Sequence, residues 1–239
     1  MPSIDQLRKR ARSLSDDEFA QIAWLKELTA DERAYVRAEM LVTVAQPGDY
    51  VVRFGKPVTF WFGLIDGLLK MSNDESQGAA ITFTGLAPGG WFGEGTVLKR
   101  ESYRYNVQAL RTSRVAGISV EMFHWLIANS LGFNRFVMYQ LNERLGQFIA
   151  AREIDRLNDP DLRVARNLAA MFDTKLFPGV VSMLRITQQE LAYLVGLSRQ
   201  RVNEALKVLA ANGWISVEYG GLRVLNLDAL RYGELASAA

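Results

Sequence analysis

The 239-residue chain contains no cysteine and a single histidine, His124. The first absence excludes disulfides, thiolate metal sites, cysteine-ligated iron–sulfur clusters and cysteine nucleophiles together. The second leaves nothing from which a multi-histidine metal site or a serine–histidine relay is assembled. His124 stands in FHWLI, an apolar setting in which a histidine packs. An excess of one charge sign is also lacking: 28 Lys and Arg face 26 Asp and Glu, a formal net charge of +2. Affinity for a nucleic acid therefore has to come from a local face of the molecule. No apolar run approaches a membrane span, and no apolar stretch of the secretory kind follows the basic N-terminal cluster. A cytoplasmic location with no membrane partner is the expectation. Neither a P-loop nor a dinucleotide-binding GxGxxG occurs, and no nucleophile–base pairing is visible. The acids Asp16, Asp17 and Glu18 are explained by the start of a helix, so an enzyme is not expected.

What is present is a hydrophobic content of 49% and a length suited to two ordinary domains. The most specific stretch is residues 186–227, ITQQELAYLVGLSRQRVNEALKVLAANGWISVEYGGLRVLNL. Thr187 with Glu190 three residues on makes a capping box that starts one helix. Gly196 falls where a tight turn needs a residue without a Cβ, and Ser198 caps a second helix whose buried side is Val202, Leu206 and Leu209. Gly213 ends that helix. WISVEY–GG–LRVLNL then reads as a hairpin around a Gly-Gly turn. Helix, turn, helix and hairpin is the order of a winged DNA-reading module. The polar side of the second helix carries Arg199, Gln200, Asn203, Glu204 and Lys207, side-chain types that bond base edges and phosphates in a major groove.

Upstream, residues 14–38 predict helices capped by Ser15 and by Thr29 with Glu32. From Met40 to Ser119, short apolar runs punctuated by glycines predict a small barrel or sandwich. Helical periodicity returns over 120–157, where Met138, Leu141, Leu145 and Phe148 form an a/d seam that favours pairing with a second copy. Asn158-Asp159-Pro160 interrupts the helix as a candidate hinge. Residues 161–172 predict another amphipathic helix, and 173–183 a loop or short hairpin. The expected domains are 1–119, a helical lead-in and sensing domain; 120–158, a dimerisation helix and hinge; and 159–239, a DNA-binding domain.

This order resembles the Crp/Fnr family of bacterial transcription regulators. The likeness covers nearly the whole chain, most strongly over ITQQELAYLVGLSRQRVNEAL, then over PGGWFGEGTVL, and least over the first forty residues. It implies an α+β fold: an N-terminal β-roll of the cyclic-nucleotide-binding jelly-roll type, a long dimerisation helix and a C-terminal winged helix-turn-helix. In the family an arginine after the capping serine reads guanine, which here is Arg199 after Ser198. Gln200 stands where glutamate is frequent, and Glu204 where a second arginine falls, so the operator should differ from that of the cAMP-binding members. The resemblance assigns DNA contacts to Thr187, Gln188, Ser198, Arg199, Gln200, Arg201, Asn203, Glu204, Lys207 and Arg223. Arg201, Asn203, Lys207 and Arg223 are the phosphate candidates.

PGGWFGEG (88–95) resembles the family's phosphate-binding cassette, in which a short helix after glycines presents backbone N–H groups to an anion. In cAMP-binding members its glutamate holds a ribose hydroxyl, and an arginine about ten residues on pairs with the cyclic phosphate. The implied effector site is Gly93, Glu94, Gly95, Thr96, Arg104, Tyr105, Arg144 and Phe148. A second alignment of YNVQAL puts Tyr103 at the arginine position and turns Arg104 to the opposite face. Phe148 and Ile149 fall where cAMP-binding members offer hydroxyls to adenine, and neither side chain forms such a bond. The effector is thus left open between cAMP, another effector such as a cyclic dinucleotide stacked on Phe148 or Trp91, and none. The expected function is a homodimeric, sequence-specific transcription regulator on a palindromic double-stranded operator, with RNA polymerase as a further partner. The alternative is a cyclic-nucleotide-binding module that acts on a protein and not on DNA; such a module has no need of Arg199 and a wing.

Overall fold

The computed structural model describes residues 10–73 and 81–235. Arg8 and Lys9 of the basic N-terminal cluster, and Ala79-Ala80 at the head of one predicted strand, lie outside the described residues. Strand β1 (Arg12–Ser13), helix α1 (Asp16–Ala20), a 3-10 turn (Ala23–Glu27) and α2 (Ala30–Glu39) lead into the sheets. These are built from β2 (Leu41–Ala45), β3 (Tyr50–Val52), β4 (Phe60–Asp66), β5 (Leu69–Asn73), β6 (Ile81–Leu86), β7 (Trp91–Phe92), β8 (Asn106–Ala109) and β9 (Ser113–Ser119), with α3 (Glu94–Lys99) between β7 and β8. Helices α4 (Val120–Asn129), α5 (Leu131–Ile154) and α6 (Pro160–Ala170) follow. Last come β10 (Met183–Leu184), α7 (Gln188–Val195), α8 (Arg199–Ala211), β11 (Ile215–Glu218), β12 (Gly221–Val224) and α9 (Leu227–Tyr232). The chain forms two compact units. One runs to Arg144 and takes in Lys175–Gly179; the other holds Leu145–Thr174 and the chain from Val180 onward.

In the first unit the caps predicted at Ser15 and at Thr29 with Glu32 are both formed, and the Ser15 cap is a full capping box with Glu18. The glycine-punctuated strands make two sheets, one in the order β1-β2-β9-β4-β7 and the other β3-β8-β5-β6. Three tryptophans fill the core: the Trp61 and Trp91 rings are 4.4 Å apart, with Trp24 5.5 Å from Trp61 and 5.3 Å from Trp91. Aromatic pairs at these separations contribute beyond the area they bury. Gly63 on β4 makes this possible, because a Cβ there would lie 2.2 Å from the Trp91 indole. The helical stretch predicted over 120–157 is two helices and not one. Ser130 is extended, and its hydroxyl accepts from the Phe133 amide at 3.3 Å to start α5. On α5, Phe133, Val137, Gln140 and Arg144 are buried, whereas Met138, Leu141, Leu145 and Phe148 are exposed. His124 packs as expected, with Nε2 3.0 Å from the Val97 carbonyl oxygen.

In the second unit Asp159 caps α6 and Pro160 occupies its first turn, which explains the interruption read from the sequence. Gly196 takes a left-handed φ of 71° between α7 and α8. Val202, Ala205, Leu206 and Leu209 face the core, and the Ser198 hydroxyl accepts from the Arg201 amide. Two details differ from the reading above. The hairpin turn is Tyr219-Gly220, since Glu218 pairs with Gly221. Gly221 belongs to the strand, and a Cβ there would lie 2.5 Å from the Leu184 carbonyl oxygen. The cause is β10, a third strand on β12 formed from the end of the segment expected to be a loop or hairpin of its own.

Candidate DNA interface and effector site

The candidate DNA-contacting side chains descend from two helix starts. The Thr187 hydroxyl accepts from the Glu190 amide at 3.2 Å and donates to its carboxylate at 2.8 Å, so Thr187 fixes the first turn of α7. Gln188 Nε2 donates to Asn203 Oδ1 at 2.9 Å, which ties α7 to α8 and orients both amides. Arg199, Gln200, Glu204 and Lys207 are exposed on α8, and Gln200 Nε2 donates to Glu204 Oε1 at 3.3 Å. Among the described residues Arg199 and Lys207 have no acidic partner, so both cations face solvent uncommitted. Two of the expected phosphate candidates carry ion pairs within the chain. Arg201 pairs with Asp161 on α6 at 2.6 Å, and Arg223 pairs through two nitrogens with Glu218 across the hairpin. Each guanidinium thus has an acid within ion-pair reach on a neighbouring element of its own unit.

The effector candidates assemble around α3. Gly93 precedes it with a φ of 89°, a left-handed conformation that strains any residue with a Cβ. Glu94 is buried, and Arg144 Nε lies 3.8 Å from its Oε1. The other carboxylate oxygen is buried with no hydrogen-bond partner. Arg144 is also buried: its Nη2 donates to the Trp91 carbonyl at 2.9 Å, to which Gln140 Nε2 donates at 3.2 Å. Burial pushes the Tyr105 phenol up to about 12; its hydrogen bond to Thr96 opposes the shift, Glu94 adds to it, and Arg144 opposes it. Gly95 and Thr96 are half-buried in the same short helix.

Arg104 is not part of this assembly. Its side chain is 78% exposed and pairs with Glu101 at 3.4 Å, whereas Tyr103 is buried with its hydroxyl donating to the Phe60 carbonyl. Tyr103 thus points inward and Arg104 outward, the directions that the second alignment expects of them. Phe148 lies on the exposed stripe of α5 and belongs to the second unit. Sequence reasoning did not single out Gln140. Its only signal was a helical spacing of four from Arg144.

A two-sheet roll with a glycine-led cassette, a long helix and a winged helix-turn-helix define a regulator that reads DNA and carries a sensing domain. Family models agree: one for the cyclic nucleotide-binding domain matches residues 42–130, and one for the Crp-like helix-turn-helix domain matches residues 162–232. The transcriptional regulator SdrP of Thermus thermophilus is 29% identical over 182 residues, which covers 74% of this chain and 84% of that protein. The cAMP-activated global transcriptional regulator CRP of Haemophilus influenzae is 28% identical over 182 residues, covering 71% and 80%. Among solved structures, FixK2 from Bradyrhizobium japonicum shares the fold with a TM-score of 0.64 at 17% identity, covering 83% of this chain and 98% of that one. The chain belongs to the Crp/Fnr family of transcription regulators.

Proposed function

We propose that two copies of the chain bind a palindromic duplex, each placing α8 in the major groove of one half-site. The observation that carries this reading is the solvent face of α8, where Arg199 and Lys207 are unpaired beside the amide of Gln200. Arg199 reads a base edge, Lys207 meets the backbone, and half-sites lie about one helical turn apart, ~10 bp. The exposed stripe Met138, Leu141, Leu145 and Phe148 supplies the surface for the second copy. RNA polymerase is the partner that a bound regulator would influence. Selecting duplexes from a random pool with the full-length protein tests the reading. A two-fold symmetric consensus, bound with an affinity that falls steeply with salt, is the expected result; enrichment of no sequence would refute it.

The effector is of the cyclic-nucleotide class. The unpartnered Glu94 oxygen supports a bound ligand over an effector-independent cassette, since a buried carboxylate oxygen left without a donor is destabilising. Glu94 would accept from a ribose hydroxyl, while the backbone of Gly95 and Thr96 and the Arg144 guanidinium would serve an anionic phosphate. Calorimetry with cAMP, cGMP and cyclic di-GMP tests this, and heat from none of them would make the cassette a structural element only.

A further inference from the structure

We infer that Lys175–Gly179 is a strap that passes the state of the Glu94–Arg144 pair to the DNA-binding unit, an inference that rests on reading Glu94 as the effector site. The chain on both sides of these five residues belongs to the second unit, yet the five themselves pack in the first. A connecting segment ordinarily runs over the surface. Here Leu176 and Phe177 are 1% and 0% exposed.

The seat of the strap is made of glycines. The Gly179 amide donates to the Pro88 carbonyl at 3.1 Å. A Cβ on Gly89 would lie 2.6 Å from the Gly179 nitrogen, one on Gly90 2.7 Å from the Phe177 ring, and one on Gly179 2.7 Å from the Pro88 oxygen. Gly89 has a left-handed φ that would favour glycine in any case, but Gly90 and Gly179 do not. At those two positions, close approach of the chains is the physical reason for glycine. The strap's other end is tied by Lys175, whose Nζ lies 2.7 Å from Glu143 Oε1 on α5.

The link to the effector site is direct. The Arg144 guanidinium sits 5.9 Å from the centre of the Phe177 ring, the same group that pairs with Glu94 and donates to the Trp91 carbonyl. Gly90, against which the ring packs, immediately precedes Trp91. A ligand that engages Glu94 and draws on Arg144 therefore changes what covers Phe177. The strap continues within a few residues into β10, the third strand of the wing sheet, and follows closely on the end of α6, which holds Arg201 through Asp161. Of these, α6 is tied to the DNA-reading helix through that ion pair. Continuity of the chain from α6 through the strap into β10 is the route along which such coupling can travel.

Hydrogen–deuterium exchange of the full-length protein without ligand tests the strap, because amide protection reports local opening. In Glu94→Gln, which removes the ion pair, exchange over 175–184 should rise at least fivefold while the amides of α8 keep wild-type protection. Phe177→Ala should give the same signature, and Phe177→Leu should restore most of the protection. Unchanged exchange over 175–184 in both Glu94→Gln and Phe177→Ala would overturn the inference. A released strap should also shift affinity for the selected duplex at least fivefold; equal affinity despite demonstrated release would overturn the coupling. Failure of all three cyclic nucleotides in calorimetry refutes the effector reading separately, since the exchange comparison uses no ligand.

Discussion

Arg201 on α8 lies 2.6 Å from Asp161 on α6, with side-chain exposures of 28% and 18%. The ion pair joins α8 to α6 within one unit, whereas Arg199, two residues earlier, is exposed. Arginines two positions apart at the head of one helix thus point to nearly opposite sides, because each helical step turns the direction by about 100°.

Arg199→Ala should lower affinity for the cognate duplex by about 1–3 kcal/mol, roughly 5- to 150-fold, and flatten preference at one base pair. Arg201→Ala should instead lower stability by on the order of 1 kcal/mol and leave base preference intact. Competition binding with single-base operator variants, alongside urea denaturation, separates the two. Equal loss of base preference in both variants would refute the division.

A charge on the α5 stripe should disrupt pairing. Leu145 is 60% exposed in the single chain, so Leu145→Glu leaves the fold intact. Burying a leucine contributes about 1.5–3 kcal/mol, and each protomer brings one. Dimer dissociation should therefore strengthen at least tenfold by analytical ultracentrifugation. An unaltered dimer would place the interface elsewhere.

Gly63→Ala should damage the sensing unit selectively. The added methyl meets the Trp91 indole at 2.2 Å, inside a packed aromatic cluster. Overpacking of this kind costs about 1–3 kcal/mol. Tryptophan fluorescence in urea should report a lower denaturation midpoint for the variant, and an unchanged midpoint would refute the packing argument.

Acid should weaken the anchoring of the N-terminal strand. Glu18 is buried and accepts two hydrogen bonds from Arg12, each 2.8 Å, with Arg114 at 3.3 Å. The hydrogen-bonded Arg12 guanidinium lowers its pKa from 4.5 to about 2, against the effect of burial. A depressed carboxylate pKa contributes stability that is complete above the unfolded value and is lost as pH falls through the folded one. Stability of the wild type should thus decline from about pH 5 towards pH 2, and Glu18→Gln should show less of that decline. Parallel slopes for the two proteins would refute the assignment.

Much of the fold was legible because its signals are local. The capping boxes at Ser15, Thr29 and Thr187 each need only a hydroxyl and a carboxylate three residues apart, and all three are formed. The buried side of α8 follows from helical spacing. The break at Ser130 was hidden, because apolar periodicity resumes on both sides of it. The third wing strand was hidden as well, since a two-residue strand has no period of its own.

Local order is what the sequence determined: where helices begin and end, which face of α8 is polar, and that a glycine-led cassette precedes Glu94. Partners distant in the chain were decided by the tertiary structure alone. It gave Arg201 to Asp161, turned Arg104 outward and Tyr103 inward, and brought Arg144 and Phe177 to the cassette. The reason is physical: capping and periodicity act over one turn of backbone. The pairing of a charge depends on which acid the packed elements bring within a few ångströms.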